Sequence, residues 1–196
     1  MSSALQYILS AVIGYLLGSI NSAVIISRIK GKDIRTVGSG NAGATNILRT
    51  FGKGAAGLVF LIDILKGVAA VLVGRAIGGD YGGYLGGFLA VIGHNFPLYF
   101  GFKGGKGIVT SLAVMLTVAP TEALCALVVA VVIIAVTRYV SLGSVVGSLL
   151  FGSLAVIRGD DLWFRVFAIA TSLLAILRHT GNIKRLCTGT ERKLGK

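Results

Sequence analysis

Three stretches of this chain combine residue types that grip anions. Residues 101–107, "GFKGGKG", hold four glycines and two lysines in seven positions between two apolar runs. Lys103 and Lys106 stand just ahead of a segment that reads as a helix, so Gly104, Gly105 and Gly107 form a turn at its positive dipole end. Such a turn suits a phosphate-sized group. It is not a Walker A loop. The required glycine five positions before Gly105 falls at Phe100, and Gly107 follows Lys106 where serine or threonine is needed.

The second stretch is "TVGSGNAGATNILRTFGKG". Gly38, Gly40 and Gly43 let the backbone aim its N–H groups at a ligand, the arrangement of an anion nest. Ser39, Asn41, Thr45 and Asn46 add neutral donors, and Arg49 adds a planar fork that matches phosphate. An ordinary helix-connecting turn needs fewer donors and no arginine. The third stretch is the tail "LRHTGNIKRLCTGTERK". His179, Asn182 and Arg185 recur every three residues and share a face if the helix continues past the apolar run. The alternative for this tail is a basic segment resting on lipid head groups.

Weaker signals lie nearby. "LIDILKG" places Asp63 and Lys66 three apart on one helical side, as a functional pair or a structural brace. "VIGHNFPLYF" offers His94 as a hydrogen-bonding group rather than a catalyst. "RYVSLGS" offers Ser141 and Ser144, which also suit helix packing. Cys125 and Cys187 fall in different environments, so no disulfide or metal pattern is expected.

The elements that carry these groups must be membrane spans. The 196 residues are 55% hydrophobic and 13% charged, against about 25% charged in soluble domains. A bilayer core of about 30 Å takes about 20 helical residues. Uncharged runs place spans at 4–27, 54–74, 81–102, 107–121, 123–137, 139–157 and 162–177, with Asp63 and Lys66 inside the second. The fourth and fifth are short arms meeting at "APTE". Two full crossings are expected there, since a re-entrant hairpin would put Glu122 in mid-membrane. The expected fold is all-α, one domain over 1–196, with seven transmembrane helices. The first run lacks a basic leader and a small-residue cleavage pattern and reads as a retained helix.

Seven spans sort the charge. One face carries Arg28, Lys30, Lys32, Arg35, Arg49, Lys53, Lys103, Lys106, Arg138, Arg178, Lys184, Arg185, Arg192, Lys193 and Lys196, fifteen of the nineteen basic residues. Asp80, Glu122, Asp160 and Asp161 fall on the other, while Asp33 and Glu191 share the basic side. By the positive-inside rule the basic face is cytoplasmic, with the N-terminus outside and the C-terminus inside.

Together "GSGNAGATNILRTFGK", "DILKG", "GHNFPLYFGFKGGKGIVTS", "TRYVSLGS" and "RHTGNIKRLCTGTE" resemble the bacterial acyl-phosphate:glycerol-3-phosphate acyltransferase family, commonly called PlsY, from about Gly14 to Glu191. Thr180 and Gly181 stand where charged residues are common in that family. The resemblance implies acyl transfer from acyl phosphate to the 1-hydroxyl of sn-glycerol 3-phosphate, giving lysophosphatidic acid and inorganic phosphate. It implies a catalytic set of His179, Asn182, Ser144, Lys106 and Arg49. Ser39, Gly40, Asn41, Gly43, Thr45, Asn46, Lys66, His94, Lys103, Gly104, Gly105, Gly107, Ser141 and Arg185 are the implied substrate and phosphate contacts. No cofactor, metal or nucleic-acid partner is expected. The chain is expected to work as a monomer in the bacterial inner membrane, in contact with lipid, with its site facing the cytoplasm.

The base is left open between His179 and the substrate's own phosphate, whose second ionisation lies near pH 6. The His-x4-Asp dyad of acyl-CoA enzymes is missing, because Tyr99 and Lys184 stand five residues after the two histidines. A transporter of organic phosphates would also want cationic groups in a bundle, but such proteins usually show internal repeats and a mid-membrane site. A basic lipid-binding scaffold would not need the clustered glycine, serine and asparagine.

Overall fold

Apolar segments in lipid have no water to bond, so each must satisfy its backbone within itself. The computed structural model describes residues 1–158 and 161–195. Asp160 and Lys196, counted in the charge tally, lie outside the described residues. The described elements are helical: α1 (Ser3–Gly18), α2 (Ser22–Ile29), α3 (Ala44–Asn95), α4 (Ile108–Val118), α5 (Pro120–Thr137), α6 (Val140–Arg158), α7 (Leu162–Leu177) and α8 (Thr180–Cys187), with 3₁₀ turns at Ile34–Thr36 and Leu98–Phe100. The chain divides into two compact units, Met1–Val114 and Met115–Lys196.

In the first unit, burial is inverted relative to a soluble helix. Along the first half of α3, Leu58, Leu61, Leu65 and Leu72 are about half exposed, while Asp63 and Lys66 are buried at 1% and 5%. Leucines outward and charges inward is the pattern lipid demands, because intramembrane charges face the bundle interior. At 52 residues α3 would run about 78 Å if straight. It does not run straight. Gly78 and Gly79 have non-helical torsions, with Gly79 at φ 64°, where a side chain would be strained. The chain folds back there. Gly74 lies against Gly82, and Gly86 against Ala70, so the halves form an antiparallel hairpin. Arg75 and Asp80 pair across the turn at 3.2 Å.

α1 lies along this hairpin through small residues. A Cβ on Gly14 or Gly18 would strike the backbone of Gly86 or Ala90, so the contact depends on backbone-to-backbone approach. The continuous first span expected over 4–27 is broken at Ser19–Asn21. Asn21 causes the break by capping α2. Its Oδ1 accepts from the Val24 N–H at 3.1 Å, and that N–H would otherwise bond the Ile20 carbonyl in a continuous helix.

In the second unit, α5, α6 and α7 pack in sequence. Gly143 and Gly147 admit Ile134 and Ala130 of α5, and Gly152 admits Ser172 of α7. Pro120 opens α5 at a position that tolerates its missing N–H. The turn is therefore at Ala119, the first residue of "APTE", with the helix ends three residues before the expected span ends. Glu122 falls in the first turn of α5 and pairs with Arg158 at 3.2 Å. α4 keeps only 11 residues, a rise of about 16 Å. Asp161 caps α7 by accepting from the Phe164 N–H at 2.8 Å.

Four helices among the described residues are long and apolar enough to cross a membrane, with the folded-back Ala44–Phe100 counted once. A fifth is added if α7 and α8, bent by 55°, form one span. The condition set for the tail is not met: the apolar helix stops at Arg178–His179, and Asn182 and Arg185 belong to a separate short helix.

Candidate functional site

In the first unit the glycine-rich segment before α3 is shaped by Asn46. This side chain is 1% exposed. Its Oδ1 accepts from the Ser39 N–H at 3.0 Å, and its Nδ2 faces the carbonyls of Val37, Asn41 and Ile34 at 3.0–3.2 Å. An amide so occupied holds the loop in shape. Ser39 and Gly40 remain exposed, and Asn41, Gly43, Thr45 and Arg49 are half-buried. Thr45 and Arg49 are four apart on α3 and share a face.

Asp33 and Arg35 secure the same loop. Arg35 donates through Nε at 2.9 Å and Nη2 at 2.7 Å to the two Asp33 oxygens, and through Nη1 to the Phe100 carbonyl at 2.9 Å. Arg28 lies 5.5 Å from the centre of the Phe100 ring. The Arg35 hydrogen bonds hold the Asp33 carboxyl well below the usual range against the raising effect of burial. Asp33 in turn pushes the Arg35 guanidinium up. So the ionised pair ties the start of the first loop to the start of the second.

The second loop returns onto the end of α3. Gly104 N–H donates to Asn95 O and Gly105 N–H to His94 O, both at 3.2 Å. Gly105 is buried, and any Cβ there would run into the Ala42 carbonyl and His94 Nε2. The two glycine-rich stretches therefore meet at Gly105. Lys103 is exposed and Lys106 half-buried, and both flank Gly104 and Gly105 in the chain. Gly107 sits immediately before α4, whose N-terminal dipole favours an anion.

Behind the junction lies a buried polar cluster. Lys66 Nζ is 2.8 Å from Asp63 Oδ1, 2.9 Å from the Ile20 carbonyl and 2.9 Å from His94 Nδ1. Ser22 Oγ donates to the same Asp63 oxygen at 2.9 Å. The carbonyl left over by the α1–α2 break is thus taken by Lys66. An ammonium has three donors, and all three have acceptors here. Lys66 and His94, which the resemblance put among substrate contacts, are 5% and 2% exposed and lie one layer beneath the loop.

The second unit holds the remaining candidates around Glu191. Its Oε1 accepts from Ser141 Oγ at 2.8 Å and Asn182 Nδ2 at 2.5 Å, and its Oε2 from Arg185 Nε at 2.7 Å. Burial works to raise this carboxyl, but the donors from Asn182, Ser141 and Arg185 outweigh it and hold the group below its ordinary value. Ser144 Oγ donates to the Val140 carbonyl at 2.9 Å, which leaves its oxygen lone pairs as acceptors. His179 is 3% exposed. Its Nδ1 is 2.7 Å from the Ala175 carbonyl, and a carbonyl only accepts. Nδ1 therefore carries a proton.

Each unit thus gathers candidates that are distant in sequence. The first brings 38–49 and 101–107 to one junction. The second brings Ser141, Asn182 and Arg185 to one carboxylate. Sequence reasoning treated Glu191 only as an acid near bases, although its isolation in a basic tail was the available signal. Asp33 and Arg35 carried no signal beyond their charges, because their partner Phe100 is sixty-five residues from Arg35.

The family model described as glycerol-3-phosphate acyltransferase matches residues 8–189. The chain is 48% identical over 190 residues to the glycerol-3-phosphate acyltransferase of Thermoanaerobacter pseudethanolicus, covering 96% of each chain. It is 48% identical over 198 residues to that of Clostridioides difficile, covering 97% of each. Among solved structures it is similar to PlsY (YgiH), an integral membrane glycerol 3-phosphate acyltransferase. Against the glycerol 3-phosphate form the TM-score is 0.91, at 39% identity and 96% coverage of each chain. Against the lysophosphatidic acid form the TM-score is 0.88, at 38% identity, covering 96% of this chain and 95% of that one.

Proposed function

We propose that this chain, which belongs to the glycerol-3-phosphate acyltransferase family, draws its acyl group from acyl phosphate. It is a multi-pass membrane acyltransferase of phospholipid synthesis and acts on glycerol 3-phosphate. The acceptor is the 1-hydroxyl, and the products are 1-acyl-glycerol 3-phosphate and inorganic phosphate. The whole chain, 1–196, serves as one acyltransferase domain in the bacterial inner membrane. Seven spans, N-terminus outside, put the basic loops and the tail in the cytoplasm, which the distribution of the nineteen basic residues supports. It works as a monomer with no cofactor.

The observation that carries this reading is the meeting of two cationic, glycine-rich stretches at Gly105, against Ala42. Both substrates carry phosphate, and stretches that carry Arg49, Lys103 and Lys106 suit a phosphoryl group. In the reaction the 1-hydroxyl oxygen attacks the acyl carbon, and the bond from that carbon to the phosphate oxygen breaks. The hydroxyl proton passes to the phosphate of glycerol 3-phosphate, whose second ionisation lies near pH 6. His179, whose Nδ1 meets the Ala175 carbonyl, and Asn182 orient the alcohol. Arg49 and Lys106 stabilise charge on the carbonyl oxygen and the departing phosphate. A mixed anhydride has a good leaving group, so no covalent enzyme intermediate is required.

The test uses the purified full-length chain with synthetic acyl phosphate. Phosphate release is expected only when glycerol 3-phosphate is present, matched by lysophosphatidic acid. Release that ignores glycerol 3-phosphate, or acylation from acyl-CoA alone, would rule the reading out.

A further inference from the structure

The chain has two histidines. Both are buried, and in each the Nδ1 atom is fixed by a partner that permits one role only. His179 Nδ1 meets a carbonyl and must donate. His94 Nδ1 meets the Lys66 ammonium at 2.9 Å, and an ammonium cannot accept. His94 Nδ1 is therefore the acceptor, and the ring proton sits on Nε2. The neighbouring groups agree. Asp63 Oδ1 is 3.6 Å from His94 Nδ1, too far for a hydrogen bond, and at 2.8 Å it holds Lys66 instead. Thr110 Oγ1 is 3.4 Å from the same nitrogen and can donate to it.

The proton-bearing Nε2 faces the place where Gly105 and the Ala42 carbonyl approach each other. A Cβ on Gly105 would strike both this nitrogen and the Ala42 carbonyl, so the ring edge and that carbonyl flank Gly105, while the His94 carbonyl accepts from the Gly105 N–H. The break after α1 belongs to the same device. It frees the Ile20 carbonyl that, with Asp63, anchors Lys66 beside the ring.

We propose that Lys66 and His94 are positioning residues. Lys66 fixes His94 as the Nε2–H tautomer, and His94 uses that proton to set the Ala42–Gly105 junction against which glycerol 3-phosphate binds. Neither side chain touches substrate; both act through the two loops. The kinetic half of this inference rests on the proposed acyl transfer. The tautomer half stands without it.

The test has two arms, both on the full-length chain in micelles or lipid. In ¹⁵N-histidine spectra, the wild type is expected to show one Nδ1–H ring and one Nε2–H ring. His94→Gln removes the second, which assigns it. The charge-neutral pair Asp63→Asn with Lys66→Met is expected to shift His94 toward mixed tautomers and leave His179 unchanged. Two rings of the same tautomer in the wild type, or a His94 ring indifferent to the double substitution, overturns the proposal. In kinetics, His94→Gln places an amide N–H near the former Nε2 and should keep KM for glycerol 3-phosphate within about threefold. His94→Asn places its amide near Nδ1 and should raise KM about tenfold or more, with kcat changed less. Equal kinetics for Gln and Asn, or a loss confined to kcat, overturns the positioning role. If His94→Asn does not fold, the double substitution supplies the comparison, with the same KM rise expected and an unchanged KM overturning the role. A wild-type chain that fails to acylate glycerol 3-phosphate sinks the acyl-transfer reading and leaves the spectra to decide the tautomer.

Discussion

Asp63 and Lys66 stand 2.8 Å apart with side chains 2% and 4% exposed. Glu191 and Arg185 stand 2.7 Å apart, but the arginine side chain is 48% exposed. Each pair sits behind a set of candidate site residues and holds it in shape. The first works inside a helical hairpin, where every donor of the lysine is matched. The second works on a tail, where the carboxylate gathers Ser141 from α6 and Asn182 and Arg185 from α8. The difference teaches how much each region tolerates. A buried charge that loses its partner has no water to turn to, while an arginine near the surface rehydrates.

The comparison breaks most sharply at Lys66. Lys66→Met alone should destabilise the protein by about 3–5 kcal/mol, because it strands Asp63. Adding Asp63→Asn should recover much of that. Thermal unfolding in detergent reads both, and a single variant as stable as the wild type would remove the buried brace from the account.

Arg49→Ala and Lys106→Ala come next. Each should lower turnover by about 10²–10³-fold while the protein still inserts and unfolds normally. Near-normal turnover in either would take that residue out of the site. Gly105→Ala should match them in activity loss and also lower the unfolding temperature, since its Cβ would push on Ala42 and His94.

His179→Gln sharpens the second region. With the substrate phosphate as base, the loss should stay below about 10²-fold, because a positioned hydrogen-bonding group survives. A loss beyond that range with unchanged KM would make His179 the base.

Glu191→Gln should have the smallest effect, about 1–2 kcal/mol, since the amide keeps part of the hydrogen-bond set and loses the charge. Its sign with pH follows from the depressed carboxyl. The tether's contribution is fully present above the ordinary glutamate range and fades only as pH falls through the lowered folded value. The wild-type advantage over Glu191→Gln should therefore persist at neutral pH and vanish on strong acidification. A constant difference across that range would count against an ionised Glu191.

Much of this was legible along the chain. The glycine-rich stretches, the helix ends that follow them and the small residues of α1 are local patterns. The "GFKGGKG" turn lies where its composition put it, directly before α4. The first span stands as one candidate crossing, Ser3–Ile29, but the interruption of its helix at Ser19–Asn21 carries no charge to mark it. Only the Asn21 cap and the reach of Lys66 to Ile20, forty-six residues away, make the break visible. The shared face of His179, Asn182 and Arg185 was conditional on a continuing helix, and the 55° bend has no signature in residue spacing.

From the amino-acid sequence alone came the helical membrane class, the crowding of basic groups on particular loops, and the expectation that those loops grip an anion. These depend on composition and near-neighbour spacing, which solvent and helix geometry read directly. Tertiary structure decided which polar groups are already engaged within the protein. Asn46 shapes its own loop, Lys66 and His94 lie beneath a junction, and Glu191 collects a tail. The reason is that a hydrogen bond has to be counted with its partner, and these partners sit between five and fifty residues away.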